Sequence, residues 1–535
     1  MKETIIEIIL KNNNGFPWVN NGSTYLRGYF FKNEGQHINP KDLLSYFYDI
    51  KDQQHFIKLL NGINGCYAII INNKGKLYAA TDRIRSVPIF YCIEKNKFFI
   101  SDEANSLIKI IGRKSNDTLS KYEFQHTGYV TLSDTLFLRI SQMQAGEYIF
   151  VDKNISPLKI LNRRYYKFLH KNQESKHIHS LQPSLHSSIN NVFSRLDQST
   201  KNKKLVVPLS GGIDSRLIIS NIHKMGRKNV LCFSYGRRGN KESKISQNIS
   251  NELSYDWYFV DYTKNKWKKW YNSQQMETYL KYAGNASTLP HIQDWPAVWE
   301  LKEKGLLPNN SVFVPGHTGD FITGSHIPID ISNILNPTKD ELIEIIKKEH
   351  YKLWNSINSP RYRSINNSIM DKIRTALASY DVSTKEDLAN IFEFWEWQER
   401  QAKFIANSCK VYEYWGYEWR MPFWDKEFLD FWSTVPLKLR LEGKLYKKYL
   451  LDTDYRRLFS SYNYKNFEKK DIKGLIKTMF IGKYFTRIHK RYSAFYNLNY
   501  IGFVKYADLI SKYRDRYNIN SILVLKYLDN IDKGL

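Results

Sequence analysis

Short apolar runs, separated by turns rich in Gly, Asn and Asp, fill the first 165 residues of the chain. Runs of this length with polar flanks are typical of β-strands that are buried on at least one face. The pattern predicts strands at residues 5–10, 25–31, 66–71, 76–80, 89–93, 98–101 and 148–151. We therefore expect a strand-rich domain over residues 1–165.

Helical spacing begins after this domain. The apolar residues of 181–196 recur every three or four positions, which predicts an amphipathic helix inside a connector at residues 166–204. Helical segments then alternate with buried strands, and this order predicts right-handed parallel βαβ units. The strands are expected at residues 205–209, 230–236 and 257–261.

The pattern thus predicts an α/β domain with a parallel sheet over residues 205–455. A stretch rich in Lys and Arg follows at residues 456–535, and we expect it to form a basic helical extension. The length of 535 residues supports two or three domains, and 42% hydrophobic against 25% charged residues is a globular composition.

Cysteine usage and hydropathy limit the location of the protein. The four cysteines lie far apart in the sequence, which argues against a disulfide scaffold and against a zinc site. We find neither a cleavable signal pattern nor an apolar run approaching the roughly 18 residues of a membrane span. These features predict a cytoplasmic protein with no membrane span.

The formal net charge of +27 raises the possibility of a nucleic-acid partner. Lys, Asn, Ile and Tyr are abundant along the whole chain, however, and no nucleic-acid-binding motif accompanies the charge. We therefore expect no nucleic-acid partner, although an RNA-modifying enzyme stays open as an alternative.

A Ser-Gly-Gly turn follows the first strand of the predicted α/β domain. Gly211 and Gly212 allow backbone N–H groups to approach an anion closely, and the helix that follows adds a positive dipole end. Ser210 and Ser215 can donate further hydrogen bonds, while Asp214 is a hard oxygen ligand suited to Mg²⁺ held against phosphates. No lysine follows the glycines, so this is not the phosphate loop of kinases and GTPases.

A second glycine-rich turn, which carries an acidic residue, follows the apolar run that begins at Ser311. Because ligands bind beyond the carboxyl ends of parallel strands, Asp320 in this turn is expected to share the Mg²⁺ ion with Asp214. His317 lies three residues before Asp320 and can accept a proton near neutral pH.

These motifs together resemble the asparagine synthetase family and the wider ATP pyrophosphatase superfamily. Four segments resemble the glutaminase domain of that family in the same order, and the Ser-Gly-Gly-x-Asp-Ser loop downstream resembles its pyrophosphate loop. The four segments are residues 60–71, 78–83, 88–91 and 101–103. The resemblance implies an N-terminal Ntn-type αββα sandwich, followed by a PP-loop synthetase domain of the adenine nucleotide alpha hydrolase type.

The resemblance also implies ATP and Mg²⁺ as cofactors and a set of site residues. Lys447 matches the catalytic lysine of the family, with Lys444 and Lys448 as alternatives. The nucleotide and pyrophosphate are expected to contact Ser210, Gly211, Gly212, Asp214, Ser215, Phe233, Ser234, Gly236 and Gly316.

Two departures from the family pattern change the expected chemistry. Lys2 stands where the family has its nucleophilic cysteine, and Cys66 lies inside an apolar strand, so we expect no glutamine hydrolysis. The nitrogen would come from ammonia, from a partner glutaminase or from an amine of the substrate. His317 and Phe321 replace two glutamates of the family, which favours an acceptor other than free aspartate.

The sequence therefore predicts an ATP-dependent amide-forming ligase that passes through an acyl-AMP, with His317 and Lys447 as catalytic residues. The expected acceptor is a small-molecule or glycan carboxylate such as a uronic-acid sugar, or a peptide carboxylate. An RNA-modifying PP-loop enzyme and a non-catalytic scaffold of the same fold are the alternatives from other classes.

Overall fold

The computed structural model describes residues 5–32, 35–112, 117–155, 158–171, 177–354, 357, 359–461 and 519–534. Every predicted N-terminal strand is present, with ends that differ from the prediction by at most three residues. Four short strands were not predicted, namely β2, β4, β9 and β11 of the following set. The strands are β1 (Ile5–Ile9), β2 (Val19–Asn20), β3 (Thr24–Lys32), β4 (His37–Ile38), β5 (Ile63–Asn73), β6 (Lys76–Thr81), β7 (Phe90–Glu94), β8 (Lys97–Ser101), β9 (Ser141–Gln142), β10 (Glu147–Asp152) and β11 (Ile160–Arg164).

These strands form two sheets that stack face to face. One sheet has the order β1-β8-β7-β9, and the other has the order β11-β10-β6-β5-β3-β2 with β4 paired to β3. Four helices accompany them, namely α1 (Pro40–Leu43), α2 (Gln53–Asn61), α3 (Ala104–Ile111) and α4 (Thr118–Thr127).

Side chains along β5 point alternately to its two faces and contribute to a core on each side. Ile70 points between the sheets and packs with Ile100 of β8, whereas its neighbour Ile69 points outward and packs with Leu60 of α2. Helix α3 covers the outer face of the smaller sheet through its contacts with β7. The result is the predicted αββα layering.

The second half contains a five-stranded parallel sheet, which confirms the predicted α/β class. Its order is β14-β13-β12-β15-β16. The strands are β12 (Lys204–Pro208), β13 (Val230–Gly236), β14 (Asp256–Asp261), β15 (Ser311–Phe313) and β16 (Glu418–Trp419).

Helices surround this sheet, and the predicted connector helix is the first of them. They are α5 (Ile178–Ser199), α6 (Ile213–Lys224), α7 (Lys241–Glu252), α8 (Lys264–Tyr271), α9 (Gln274–Gly284), α10 (Trp295–Glu303), α11 (Gly319–Ile322), α12 (Lys339–His350), α13 (Arg363–Ala376), α14 (Lys385–Glu396), α15 (Lys410–Tyr414), α16 (Lys426–Trp432), α17 (Leu437–Arg440), α18 (Lys444–Asp452) and α19 (Ile519–Lys533). No helix in the described part of the chain combines the length and the apolarity that crossing a bilayer requires.

The chain from Lys385 to Tyr414 follows one helical path with three geometries. Helix α14 passes into a π-helix at Trp397–Ile405, then into a 3₁₀ turn at Ala406–Cys409 and finally into α15. π-Helical turns widen the helix and are frequent at functional sites. The predicted basic extension at residues 456–535 lies mostly outside the described residues, apart from the segment that ends at Ser461 and helix α19.

A buried ion cluster joins the strand sandwich to the α/β half. The carboxylate of Glu413 accepts hydrogen bonds from Arg27 at 3.0 Å and from Lys410 at 2.7 Å. It also accepts them from Tyr282 at 2.8 Å and from Trp419 at 2.9 Å. Since Arg27 belongs to β3 and the other four residues belong to the second half, Glu413 links the two halves through buried charge.

Candidate active site

The strand order of the parallel sheet locates a ligand crevice. Strand β12 lies in the middle, with β13 and β14 on one side and β15 and β16 on the other. The connections from β12 and β15 therefore leave in opposite directions, and ligands bind at such a switch point beyond the carboxyl ends of the strands. Both glycine-rich turns predicted from the sequence begin at this point.

A cleft of about 770 Å³ of open space lies there. Of the predicted site residues, its walls include Ser210, Gly212, Asp214, Ser215, Phe233, Ser234, Gly316 and His317. Gly211, Gly236, Asp320 and Lys447 are outside the lining of this cleft. Its walls also include Tyr235, Glu242, Ser243 and Asp294, which the sequence analysis did not select as site residues.

Internal hydrogen bonds fix the shape of the phosphate loop. The Ser210 hydroxyl accepts the N–H of Gly212 at 3.1 Å and lies 3.1 Å from the Ser215 hydroxyl. Gly212 is the N-cap of α6, and no side chain caps this helix start. The first N–H groups of α6 are therefore open to an anion, as a pyrophosphate loop requires.

Arg216 holds the loop from behind. Its guanidinium donates to the carbonyl of Gly211 at 2.9 Å, to that of Gly212 at 3.2 Å and to that of Leu458 at 2.9 Å. It also lies over the Phe459 ring at 5.7 Å. Arg216 is buried and does not line the cleft, so its contacts position the loop from the side away from the ligand.

We expect Arg216→Ala to raise KM for ATP about tenfold while changing kcat less. Three charge-assisted hydrogen bonds disappear, each worth about 1.5–3 kcal/mol. Part of this lost free energy is what keeps the loop ordered. The matched control is Arg227→Ala, because Arg227 also donates to two backbone carbonyls but contacts Thr200 and Lys203, away from the loop. Steady-state kinetics on both variants checks this, and an equal KM effect in the control would contradict the positioning role.

Asp214 carries a buried carboxylate oxygen that the described residues leave without a hydrogen bond. This atom is Oδ1. The Tyr446 hydroxyl and the backbone N–H of Asp320 lie close enough to favour the charged carboxylate, but neither reaches Oδ1 with the geometry of a hydrogen bond. Burial and the neighbouring Asp320 raise the pKa of Asp214 to about 7. A buried acidic oxygen in this state is costly unless a ligand or cation satisfies it.

The turn after β15 packs directly on this carboxylate. A Cβ atom on Gly319 would lie 2.5 Å from Oδ1 of Asp214, and one on Gly316 would lie 2.9 Å from the N atom of Ser215. Both positions therefore require glycine. Between them Thr318 has a φ of 73°, a strained value for a β-branched residue.

Asp320 is the second acidic group, and it is held by a chain of charged partners. His326 Nε2 lies 2.9 Å from its carboxylate, and His326 Nδ1 lies 2.6 Å from Glu396. Arg400 donates to the same Glu396 at 2.9 Å. Burial disfavours a charged His326, but Glu396 and Asp320 outweigh it and raise the pKa of the imidazole to about 10.

The two carboxylates fit the donor set of a magnesium ion. The described residues contain no group of three or more protein ligands that would form a complete metal cage. Mg²⁺ is commonly held by one or two carboxylates together with phosphates and water. The unpartnered Oδ1 of Asp214 beside Asp320 matches that pattern. This pair of carboxylates offers only oxygen donors and lacks the soft ligands that zinc prefers.

In the same turn as Asp320, His317 is set in one tautomer. The Ser408 hydroxyl donates to the Ile405 carbonyl at 2.6 Å, so its oxygen accepts the Nδ1–H of His317 at 2.8 Å. Burial lowers the pKa of His317 to about 4, which keeps the ring neutral at pH 7. Nε2 then carries a lone pair and has no hydrogen bond to the described residues.

Asp294 is a hub that the sequence analysis did not identify as a site residue. It is buried, and it accepts hydrogen bonds from Tyr412 at 2.7 Å and from Tyr235. His291 Nε2 lies 3.4 Å away, and the rings of His291 and His317 have centroids 6.2 Å apart. Burial opposes the charged form of Asp294, but His291 and Tyr235 outweigh it and hold the pKa of Asp294 below its usual range.

Lys447 is outside the described lining of the cleft. Its side chain is exposed and passes near Gly443, and it forms no ion pair within the described residues. Of the two alternative lysines, Lys448 is paired with Asp452, whereas Lys444 is exposed. The adjacent Tyr446 on α18 interacts with Asp214, so Lys447 is one residue away from a side chain of the candidate site.

The four cysteines lie in the interior of the protein. All four are buried and free. Cys66 lies in β5, accepts a hydrogen bond from Tyr29 at 3.1 Å, and burial raises the pKa of its thiol well above the usual value. A thiol in this state is inert. Lys2 lies outside the described residues.

Comparison with known proteins gives a family match in the second half. The asparagine synthase family model matches residues 338–461, which include the π-helix and Lys447. The microcin J25-processing protein McjC of Escherichia coli is 20% identical over 182 residues, which are 34% of this chain and 32% of McjC. The chain thus spans about a third of the length of this curated relative.

Two solved structures are similar only at low scores. The NH3-dependent NAD synthetase from Campylobacter jejuni is 14% identical, with 41% of this chain and 92% of that chain covered and a TM-score of 0.20. The glutamine phosphoribosylpyrophosphate amidotransferase from B. subtilis is 10% identical, with 47% and 73% covered and a TM-score of 0.20. Similarity at this level supports no conclusion about the fold or the function. Residues 338–461, however, match the model of the asparagine synthase family, and the sequence motifs between about residues 55 and 455 resemble the same family.

Proposed function

We propose that this chain is an ATP-dependent amide-forming ligase. It would activate a carboxylate as an acyl-AMP with release of pyrophosphate, and then transfer the acyl group to ammonia or to an amine. The observation that carries the proposal is the uncapped start of α6 beside the unpartnered, buried oxygen of Asp214. That arrangement suits a magnesium-bound pyrophosphate, and a scaffold without ligand gains nothing from it.

In the first half-reaction, a carboxylate oxygen of the acceptor attacks the α-phosphorus of ATP. The bond between the α-phosphorus and the bridging oxygen breaks, and pyrophosphate leaves with both electrons of that bond. The N–H groups at the start of α6, with Ser210 and Ser215, bind the departing pyrophosphate. Asp214 and Asp320 would hold Mg²⁺, which offsets phosphate charge when it is bound.

Lys447 would approach the phosphates and stabilise their developing negative charge. Because it forms no ion pair within the described residues, no local carboxylate competes for its ammonium group. Asp320 is kept ionised by His326, and Glu396 holds that imidazole in place.

In the second half-reaction, the amine nitrogen attacks the acyl carbon and AMP leaves with the former carboxylate oxygen. The nitrogen must lose one proton as the amide forms. His317 is neutral and lines the cleft, and its Nε2 has no hydrogen bond within the described residues, so it would accept this proton. Asp294 lines the cleft beside His317, with His291 behind it, and would orient the acceptor side.

The acceptor side supports a substrate other than free aspartate. The described lining of the cleft includes His317 and Asp294 and contains no Lys or Arg side chain that would pair with a free α-carboxylate. McjC is named for processing microcin J25, and on this likeness we propose that the chain acts on a carboxylate carried by a larger molecule. The amine would be ammonia, the product of a partner glutaminase, or an amine of the same substrate.

A pyrophosphate-release assay tests this function. The protein is incubated with ATP, Mg²⁺ and a panel of carboxylates, comprising aspartate, a uronic acid and acetylated aspartyl peptides, with hydroxylamine as the trapping amine. We expect carboxylate-dependent pyrophosphate and a hydroxamate product. No pyrophosphate with any carboxylate, together with no ATP binding, would support the scaffold alternative. Salt-dependent RNA binding with RNA-dependent release would support the RNA-modifying one.

A further inference from the structure

A second cavity lies behind His291, on the far side from the phosphate loop. It has about 540 Å³ of open space, and we call it the rear chamber. Its described walls are Pro290, His291, Ile292, Gln293, Phe404, Ile405, Ile519, Asn520 and Leu523. They come from the loop before α10, from the end of the π-helix and from α19.

The rear chamber and the nucleotide cleft share a wall. His291 lines the chamber and His317 lines the cleft, and their ring centroids are 6.2 Å apart. Ser408, which fixes the tautomer of His317, is hydrogen-bonded to the carbonyl of Ile405 in the chamber wall. A group that reacts at His317 would therefore lie about one imidazole ring away from the chamber.

The chemistry of the walls selects the kind of group that fits. The described lining contains no Asp, Glu, Lys or Arg, and its polar side chains are those of His291, Gln293 and Asn520. A zwitterionic amino acid or a sugar acid carries polar groups that would lose their hydration there without compensating partners. Aromatic and branched aliphatic side chains gain free energy by burial against Phe404, Ile405 and Leu523.

Helix α19 is anchored to the rest of the structure by hydrogen bonds and ring stacking. It lies beyond the family-matched segment, which ends at residue 461. The Ser521 hydroxyl donates to the Leu353 carbonyl at 2.7 Å, and Trp354 donates to the Ser521 carbonyl at 2.9 Å. The Tyr527 ring stacks on Phe124 with centroids 5.4 Å apart. Changes at Leu523 therefore reshape the chamber without releasing the helix.

We propose that the rear chamber binds an apolar side chain next to the reacting carboxylate of a peptide substrate. The inference rests on the proposed ligase function and decides between its two acceptor classes, since a peptide can supply such a side chain and a uronic acid cannot. Helix α19 is then a specificity element of this chain.

The test uses full-length protein and the peptides acetyl-X-Asp-amide, where X is Gly, Ala, Leu, Phe or Trp. Pyrophosphate release with hydroxylamine gives kcat/KM for each peptide. We expect kcat/KM for the Leu and Phe peptides to exceed that for the Gly peptide by about tenfold or more. Leu523→Trp should fill the chamber and remove most of this preference, and Leu523→Ala should shift the preference towards Trp. Asp529→Ala, on the exposed side of the same helix, should leave it unchanged.

The outcomes separate the two proposals. Pyrophosphate release at the same rate for every X, unchanged in both Leu523 variants, overturns the chamber assignment and leaves the ligase function standing. A higher kcat/KM for a uronic acid than for every peptide also overturns the chamber assignment. Absence of release with all peptides and all other carboxylates overturns the ligase function and the chamber assignment with it.

Discussion

Asp214→Asn should lower the rate of pyrophosphate release by at least about a hundredfold and leave the thermal stability equal or higher. The amide keeps the size of the side chain, so the close contact with Gly319 is preserved. It lacks the negative charge that the magnesium site needs. The buried Oδ1 has no hydrogen bond in the described residues, so the folded protein no longer pays to desolvate an unpaired charge.

A small opposing effect comes from the helix dipole. Asp214 lies in the first turn of α6, where a negative charge contributes about 0.3–1 kcal/mol. Removing an unpartnered buried charge offsets this, which is why Tm should not fall. Asp256→Asn, at an exposed position in β14, is the control and should change neither rate nor Tm. A rate for Asp214→Asn within about threefold of wild type would contradict the site assignment.

Glu413→Ala should destabilise the protein by about 3–5 kcal/mol, because it leaves Arg27 and Lys410 as buried cations without their main partner. Glu413 is fully buried and accepts hydrogen bonds from four side chains. Asp430→Ala is the control, since it removes an exposed pair with Lys426 and should cost less than about 1 kcal/mol. The free energy of unfolding, measured by urea denaturation, compares the two variants.

The same cluster predicts a pH dependence. Burial disfavours the charged form of Glu413, but Lys410 and Arg27 outweigh it, so the pKa is lower than the ordinary 4.5. Its contribution is then fully present above about pH 4.5 and is lost as the pH falls through the folded-state pKa. The difference between wild type and Glu413→Ala should therefore shrink in acid. A difference that grows below pH 4.5 would contradict the cluster.

Local pattern predicted much of the fold because the strands and helices bury one face at regular spacing. The run before Ser210 and the amphipathic segment after Asp214 form β12 and α6 as expected, and the glycines between them leave the helix start open. The short strands β2, β4, β9 and β11 were missed because two to five residues carry too little periodicity to stand out from loops.

The rest of the candidate site depends on long-range packing. Asp294 and Tyr412 are 118 residues apart in the sequence, and neither lies in a motif that marks chemistry. His326 was hidden for the same reason, because its partner Glu396 lies 70 residues away and sits in a tract whose aromatic spacing indicates only a core helix. The π-helix that carries Arg400 and leads to Ser408 has no pattern of its own in the sequence.

Oxygen transfer tests the central claim most directly. A peptide such as acetyl-Phe-Asp-amide, with ¹⁸O in the aspartyl carboxylate, is incubated with the full-length protein, ATP, Mg²⁺ and hydroxylamine, and the AMP is analysed by mass spectrometry. If the carboxylate attacks the α-phosphorus, one ¹⁸O atom must appear in AMP, together with pyrophosphate and hydroxamate. Formation of unlabelled AMP, or of ADP and phosphate, would contradict carboxylate adenylation by this site.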